Sequence, residues 1–183
     1  MQITISDLQQ QPLEFDLTLP PGAIDYGTDI LQIGGMHAAG RADLLEEHRG
    51  PRDIVADIRL RATYSSTFEV PCARCVDPVQ HPISGEFDLI FRPLGTETDS
   101  SERAISTSET EIGYYQNDSL ALEDVLREQV LLSLPARTLC REDCKGICLH
   151  CGSNLNHEPC KCQAAPVDPR WSALGELRTK VKQ

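Results

Sequence analysis

Apolar and polar residues alternate along much of the first ninety positions. Leu13, Phe15, Leu17 and Leu19 fall two apart, the period of a half-buried strand, and Pro20-Pro21-Gly22 ends the run. Ile3, Ile5 and Leu8 precede it without a clear period, and Ile30, Leu31 and Ile33 mark a short element in a loop-like stretch. Residues 36–46 alternate through Met36, Ala38, Gly40, Ala42 and Leu44, and His48-Arg49-Gly50-Pro51 reads as the following turn. Residues 53–64 set Ile54, Ala56, Ile58, Leu60, Ala62 and Tyr64 against Asp53, Asp57, Arg59, Arg61 and Thr63. A separate strand is expected at 67–72, around Phe68 and Val70, and a returning one at 79–91 through Ile83, Phe87, Leu89 and Phe91. Successive short strands joined by turns predict an antiparallel, barrel-like sheet.

The period then changes. Residues 93–118 are rich in Ser, Thr and Glu and poor in apolar side chains, which predicts an acidic loop, with Tyr114 and Tyr115 positioned to re-anchor the chain. Residues 120–134 place Leu122, Val125, Leu126, Val130 and Leu134 on one face, the pattern of a helix packed across the sheet. Asp118 or Ser119 is its expected N-cap, Glu123 and Asp124 suit its first turn, and Pro135 stops it. A second helix is expected after Asp168-Pro169, with Trp171, Leu174, Leu177 and Val181 as its apolar stripe, folded back on the body. The predicted class is therefore α+β: a β-rich body over 1–136 and a cysteine-rich module over 137–183.

Cysteine spacing carries the chemistry. Six of the eight cysteines lie in CREDCKGICLHCGSNLNHEPCKC (140–162), and Cys72 and Cys75 form a CARC knuckle upstream. Pairs two to four residues apart are the usual source of a tetrahedral zinc site, and eight thiolates make two such sites. Gly146 and Gly152 suit the backbone turns with positive φ that aim amides at sulfur. The opening MQITISD has neither a basic n-region nor an apolar h-region, and no apolar run reaches membrane-spanning length. A cytoplasmic chain is expected, where clustered cysteines bind metal more often than they form disulfides. The most local set is Cys148, Cys151, Cys160 and Cys162. Cys72, Cys75, Cys140 and Cys144 then form a second, which would staple the sheet to the module. Grouping Cys140, Cys144, Cys148 and Cys151 is an alternative, and His150 or His157 could replace a cysteine.

Charge divides the chain the same way. The net charge is −11, and two four-thiolate zinc sites, each adding −2, would make it −15. Positions 1–136 hold 23 acidic and 9 basic residues, whereas positions 137–183 hold 5 acidic and 8 basic, including all four lysines. Such a balance does not coat nucleic acid by charge alone; it fits an acidic body that meets a basic partner. In the basic end, Arg141, Lys145, Lys161 and Arg170 are candidate contacts to nucleic acid or a partner. The competing role for Arg74, Arg141, Lys145 and Lys161 is to offset thiolate charge. Arg59 and Arg61 read as a solvated strand face.

CARC between strands, then LREQVLLSLP, then the six-cysteine stretch, then DPRWSALGELR resemble, in that order, the bacterial YceD-like family of large ribosomal RNA subunit accumulation proteins over about residues 50–180. The resemblance implies a cytoplasmic, non-catalytic factor needed for 23S rRNA accumulation, with a large-subunit ribosomal protein or the 23S rRNA precursor as partner, no membrane and no small-molecule substrate. A zinc-dependent, redox-regulated chaperone or thiol switch is the competing reading. An enzyme is not expected. No phosphate loop is present, His37, His48 and His81 stand without motif context, and sites filled by four cysteines keep no open position for water.

Overall fold

A computed structural model describes residues 1–50, 53–95 and 112–162. Its strands and helices run β1 (Gln2–Thr4), α1 (Ile5–Gln10), β2 (Leu13–Leu19), β3 (Leu31–Gln32), β4 (Met36–Gly50), β5 (Asp53–Pro71), β6 (Pro78–Pro93), β7 (Ile112–Tyr115), β8 (Ser119–Ala121) and α2 (Leu122–Ser133). The main sheet has the order β2-β4-β5-β6-β7, with β3 added beside β5. It is mostly antiparallel; β7 runs parallel to β6, with Ile112 opposite Ile90. The barrel-like expectation is corrected here. The sheet is open, with β2 and β7 at its two ends and no pairing between them among the described residues.

One face of the sheet is the core. Met36, Ala38, Ile58, Leu60, Tyr64, Phe68, Phe87 and Phe91 are buried on it, together with Leu122, Val125, Leu126 and Val130 of α2. The helix is held at its edges as well: Tyr64 donates from its hydroxyl to the Gln129 carbonyl (3.1 Å), and Arg127 donates to the Asp25 carbonyl (2.6 Å). The opposite face is solvated. There Arg41 and Arg61 share Asp43 (2.7 and 2.9 Å), and Arg59 pairs with Asp88. Arg59 and Arg61 thus serve as a paired strand face.

Several boundaries differ from the sequence pattern. The two strands expected at 53–64 and 67–72 are one, β5, because Ser66 occupies an inward position between Tyr64 and Phe68. Its buried hydroxyl donates to the Gly34 carbonyl (3.3 Å) and keeps the alternation intact. Asp57, expected on the solvated face, is buried and chelated by Arg92 (3.1 and 2.8 Å). The strand β4 runs through His48 and Arg49 to Gly50, so the turn expected there starts later. Only the first and last parts of the expected loop are described. Residues 112–115 pair as β7, and the Tyr115 hydroxyl donates to the Ala56 carbonyl (2.6 Å).

The helix α2 starts two residues later than its pattern suggests, because its expected caps serve elsewhere. Asn117 and Asp118 take positive φ (54° and 53°) in a tight turn, and Ser119 enters β8, which pairs with β1. Ala121 is the N-cap and makes no side-chain capping bond. The short α1 has no counterpart in the sequence pattern, since a single turn and a half buries only Leu8. The helix expected after Asp168 lies outside the described residues.

Candidate metal centre

The β5–β6 hairpin carries Cys72 and Cys75 at its tip, beyond Pro71 and before Pro78. The chain leaves α2 at Ser133 and is guided to this tip by its backbone. Ala73 N–H donates to the Thr138 carbonyl (2.8 Å), and Cys140 N–H donates to Cys72 Sγ (3.4 Å). Arg74 then reaches over the arriving loop, donating to the carbonyls of Glu142 (3.2 Å) and Cys144 (2.9 Å). Ile147 N–H returns to the Arg74 carbonyl (3.0 Å). Gly146 makes this approach possible: its φ is +75°, and a β-carbon there would meet the Arg74 oxygen at 3.0 Å.

These contacts gather Cys72, Cys75, Cys140 and Cys144, with all four sulfurs within 4.8 Å of one another. Cys72 and Cys144 are 3.9 Å apart, and Cys75 and Cys140 are 3.5 Å apart. A tetrahedral zinc ion with Zn–S bonds of about 2.3 Å separates its sulfurs by about 3.8 Å. A disulfide would need about 2.05 Å, and all eight cysteines are free. The donor set therefore fits a four-thiolate metal ion.

The second cluster, Cys148, Cys151, Cys160 and Cys162, meets the same 4.8 Å limit. Its first knuckle repeats the CARC knuckle bond for bond. Val76 N–H donates to the Cys72 carbonyl and Gly152 N–H to the Cys148 carbonyl, both at 2.9 Å. Cys72 N–H donates to the Asp77 carbonyl and Cys148 N–H to the Ser153 carbonyl, both at 2.8 Å. The residue after the second cysteine is left-handed in each, with φ of 65° at Val76 and 73° at Gly152. The two clusters differ in burial. Cys72, Cys75 and Cys144 are buried, whereas Cys151 and Cys162 are exposed.

The knuckles prepare thiolates. Burial raises the Cys72 thiol, but the amides of Arg74, Cys75 and Cys140 outweigh it and hold its pKa at about 6. The amides of Cys151 and His150 hold Cys148 at about 6 as well. Their neighbours move the other way. Burial and its own hydrogen bond to Asp77 push Cys75 above the ordinary thiol range, and the hydrogen bond that Cys162 makes to Cys151 is the main cause that pushes it up to about 12. Each cluster therefore pairs thiols held low by amides with thiols held high by their neighbours, and a bound cation would favour the thiolate form of all four.

A family model described as large ribosomal RNA subunit accumulation protein YceD matches residues 60–178, well over half of the chain and both cysteine clusters. The chain belongs to the YceD family. Uncharacterised proteins of Mycobacterium tuberculosis and Mycobacterium bovis are each 34% identical over 106 residues, 58% of this chain and 48% of theirs. A chloroplastic YCED homolog of Arabidopsis thaliana, named a large ribosomal RNA subunit accumulation protein, is 38% identical over 58 residues, 32% of this chain and 18% of its own. The chain spans about half the length of the mycobacterial relatives it matches. No solved structure matches significantly.

In this YceD-family chain, neither histidine considered as a ligand joins a cluster. His150 is exposed, and His157 stands 3.5 Å from the Asp77 carboxylate. Of the candidate contact cations, Lys145 and Lys161 are exposed. Arg141 is exposed too, but its guanidinium donates to Asn156 Oδ1 (2.8 Å) and meets Asp143 (3.4 Å). Arg170 lies outside the described residues. Sequence reasoning passed over Asn154, Asn156 and Asp77, which hold the clusters' surroundings; their NLN and CVD contexts beside the ligands were the available signal.

Val76 offers a test of the knuckle geometry. A β-branched residue at positive φ is a true outlier, and the left-handed region costs an ordinary residue about 1–2 kcal/mol. The side chain is mostly exposed, so glycine would forfeit little packing. After allowing for the greater freedom of glycine in the unfolded chain, Val76→Gly is expected to stabilise the metal-loaded protein by about 0.5–1 kcal/mol. A thermal midpoint equal to or below that of the native chain would contradict the repeat.

Proposed function

We propose that this protein is a non-catalytic cytoplasmic factor in large ribosomal subunit biogenesis, which supports 23S rRNA accumulation by binding a basic large-subunit ribosomal protein, the rRNA precursor, or both. Family membership is the observation that carries this reading. Charge supports the assignment of partners: the acidic residues concentrate in positions 1–136, and the module over 137–183 is net basic, with Lys145 and Lys161 exposed. Among the described residues no helix is long and apolar enough to cross a membrane.

In this reading all eight cysteines hold two zinc ions. Cys72, Cys75, Cys140 and Cys144 hold one, and Cys148, Cys151, Cys160 and Cys162 the other. Zinc supplies a cross-link where, among the described residues, little apolar packing beyond Val79 and Leu139 holds the thiolates in place. With four cysteines per ion, no coordination position is left for a substrate or an activated water. The residues work by presentation: the hairpin tip, Arg74 and the backbone bonds fix the module against the end of the sheet, and the joined surface meets the partner.

Deleting the gene is expected to lower 23S relative to 16S rRNA, with restoration by the native chain and not by Cys72→Ser/Cys75→Ser. An unchanged ratio would contradict the assignment. Capture from lysate with and without nuclease separates the partners: a small basic protein retained after nuclease points to protein recognition, and its loss points to RNA. The thiol-switch reading draws on the exposure of Cys151 and Cys162. It requires peroxide to oxidise paired thiolates to disulfides and release zinc; zinc retained under mild peroxide excludes it.

A further inference from the structure

We propose that Asn154 and Asn156 join the two four-cysteine sites into one cooperative metal-binding unit, so that filling either site strengthens the other. The proposal rests on the zinc reading above. The segment between Cys151 and Cys160 belongs by chain to the second site, since both of its ends are ligands there. Its side chains, however, reach the first site. Asn156 Nδ2 donates to Cys144 Sγ (3.3 Å), and its Oδ1 accepts from Lys145 N–H and Arg141 Nη2, both at 2.8 Å. Asn154 Nδ2 donates to both oxygens of Asp77 (2.9 Å each), whose carboxylate lies 3.2 Å from Cys75 Sγ and is held there by the amide. The two asparagines are themselves linked, Asn156 N–H to Asn154 Oδ1 (3.0 Å). Leu155 N–H donates to the Gly146 carbonyl between them (2.9 Å).

No cysteine belongs to both clusters. The chain itself joins them through Lys145, Gly146 and Ile147, with Ile147 N–H on the Arg74 carbonyl, and the strap adds a second link made by side chains. Closing the second site ties down both ends of the segment and orders the asparagines against Cys144 and Asp77. Filling the first site fixes Cys144, Lys145 and Gly146, and these fix the asparagines. By linkage the factor is the same in both directions. The chemistry also requires amides. An aspartate at 156 would turn a carboxylate toward the Cys144 thiolate, and one at 154 would turn a carboxylate toward Asp77. Loss of such a supporting bond lowers metal affinity by about 10–100-fold.

The test is a cobalt(II) titration of the reduced full chain against a competing chelator, read by the thiolate-to-cobalt absorption of tetrahedral sites. The native chain is expected to bind two ions with a combined affinity at least about tenfold above the product of the single-site affinities. Those single-site values come from Cys160→Ser/Cys162→Ser and Cys72→Ser/Cys75→Ser. Introducing Asn154→Ala/Asn156→Ala into all three chains is expected to lower that ratio about tenfold, toward whatever the Cys144–Cys148 segment alone transmits. A ratio of one in the native chain, or a ratio untouched by the asparagine changes, overturns the coupling while leaving two metal sites. Absence of any tetrahedral cobalt spectrum overturns the zinc reading itself. If a cysteine variant loses its far-UV spectrum, the native and asparagine-variant titrations decide between them. Joint uptake of two ions in the first and sequential uptake in the second supports the proposal, and identical uptake overturns it.

Discussion

Stripping metal from the reduced protein is expected to melt residues 137–162 and leave the sheet standing. Among the described residues, 137–162 have no apolar core of their own. The cluster around Cys72, Cys75 and Cys144 gathers only Val79 and Leu139 as packed neighbours, and Ile147 and Leu149 point to solvent. Ordering each residue costs about 1–2 kcal/mol of backbone entropy, and so few buried side chains cannot offset it. A structural zinc ion supplies on the order of 10 kcal/mol. The main core, from Met36 through Phe91 to α2, contains no cysteine and is independent of the ions. Hydrogen exchange after chelation should therefore show the Ile147, Cys148, Gly152 and Leu155 amides losing protection while those of β4, β5 and β6 keep theirs. Protected module amides in metal-free, reduced protein would remove the clamp from the account.

Phe68→Ala is expected to have the second-largest effect, and on the sheet rather than the module. Phe68 is fully buried in β5 and meets Tyr26 edge-on, with ring centroids 4.9 Å apart and planes at 81°. Truncating such a ring costs about 3–5 kcal/mol, from lost transfer energy and the cavity left behind. For a chain of this length that is a drop in thermal midpoint of roughly 10 °C. Metal stoichiometry at low temperature should not change, because the CARC tip lies beyond the Phe68–His81 pair. A loss below 1 kcal/mol in denaturant unfolding would show that this end of the sheet is not packed as described.

These two experiments separate what could be read in the chain from what could not. The alternation at 13–19 and 79–91 identifies β2 and β6, and the Leu122, Val125, Leu126, Val130 stripe identifies the buried face of α2. Each of those segments faces a single environment, so period alone suffices. The single long β5 was illegible because Ser66 satisfies an inward position with a hydrogen bond instead of a methyl group. Asp57 was illegible for a related reason: its partner Arg92 lies 35 residues away, and only the fold brings them together. An open sheet and a barrel share the same strand pattern, and the parallel entry of β7 depends on a pairing 22 residues apart in sequence.

At the cysteine clusters, local spacing favoured Cys148, Cys151, Cys160 and Cys162 as one set and left Cys72, Cys75, Cys140 and Cys144 as the other, but it did not exclude a set of Cys140, Cys144, Cys148 and Cys151; the structure brings together the first grouping. The repeat of the two knuckles was hidden by Val76, which stands where Gly152 stands in the second and takes the same left-handed turn against its own preference. The asparagine strap was hidden because amide side chains carry no spacing rule; their role appears only once Cys144 and Asp77 are beside them.

The most direct measurement is native mass spectrometry of the protein purified under reducing conditions, paired with thiol alkylation. Two zinc ions per chain are expected, with the cysteines protected from alkylation until a chelator is added and all eight reactive afterwards. A folded chain that carries no metal while all eight thiols react at once would contradict the account.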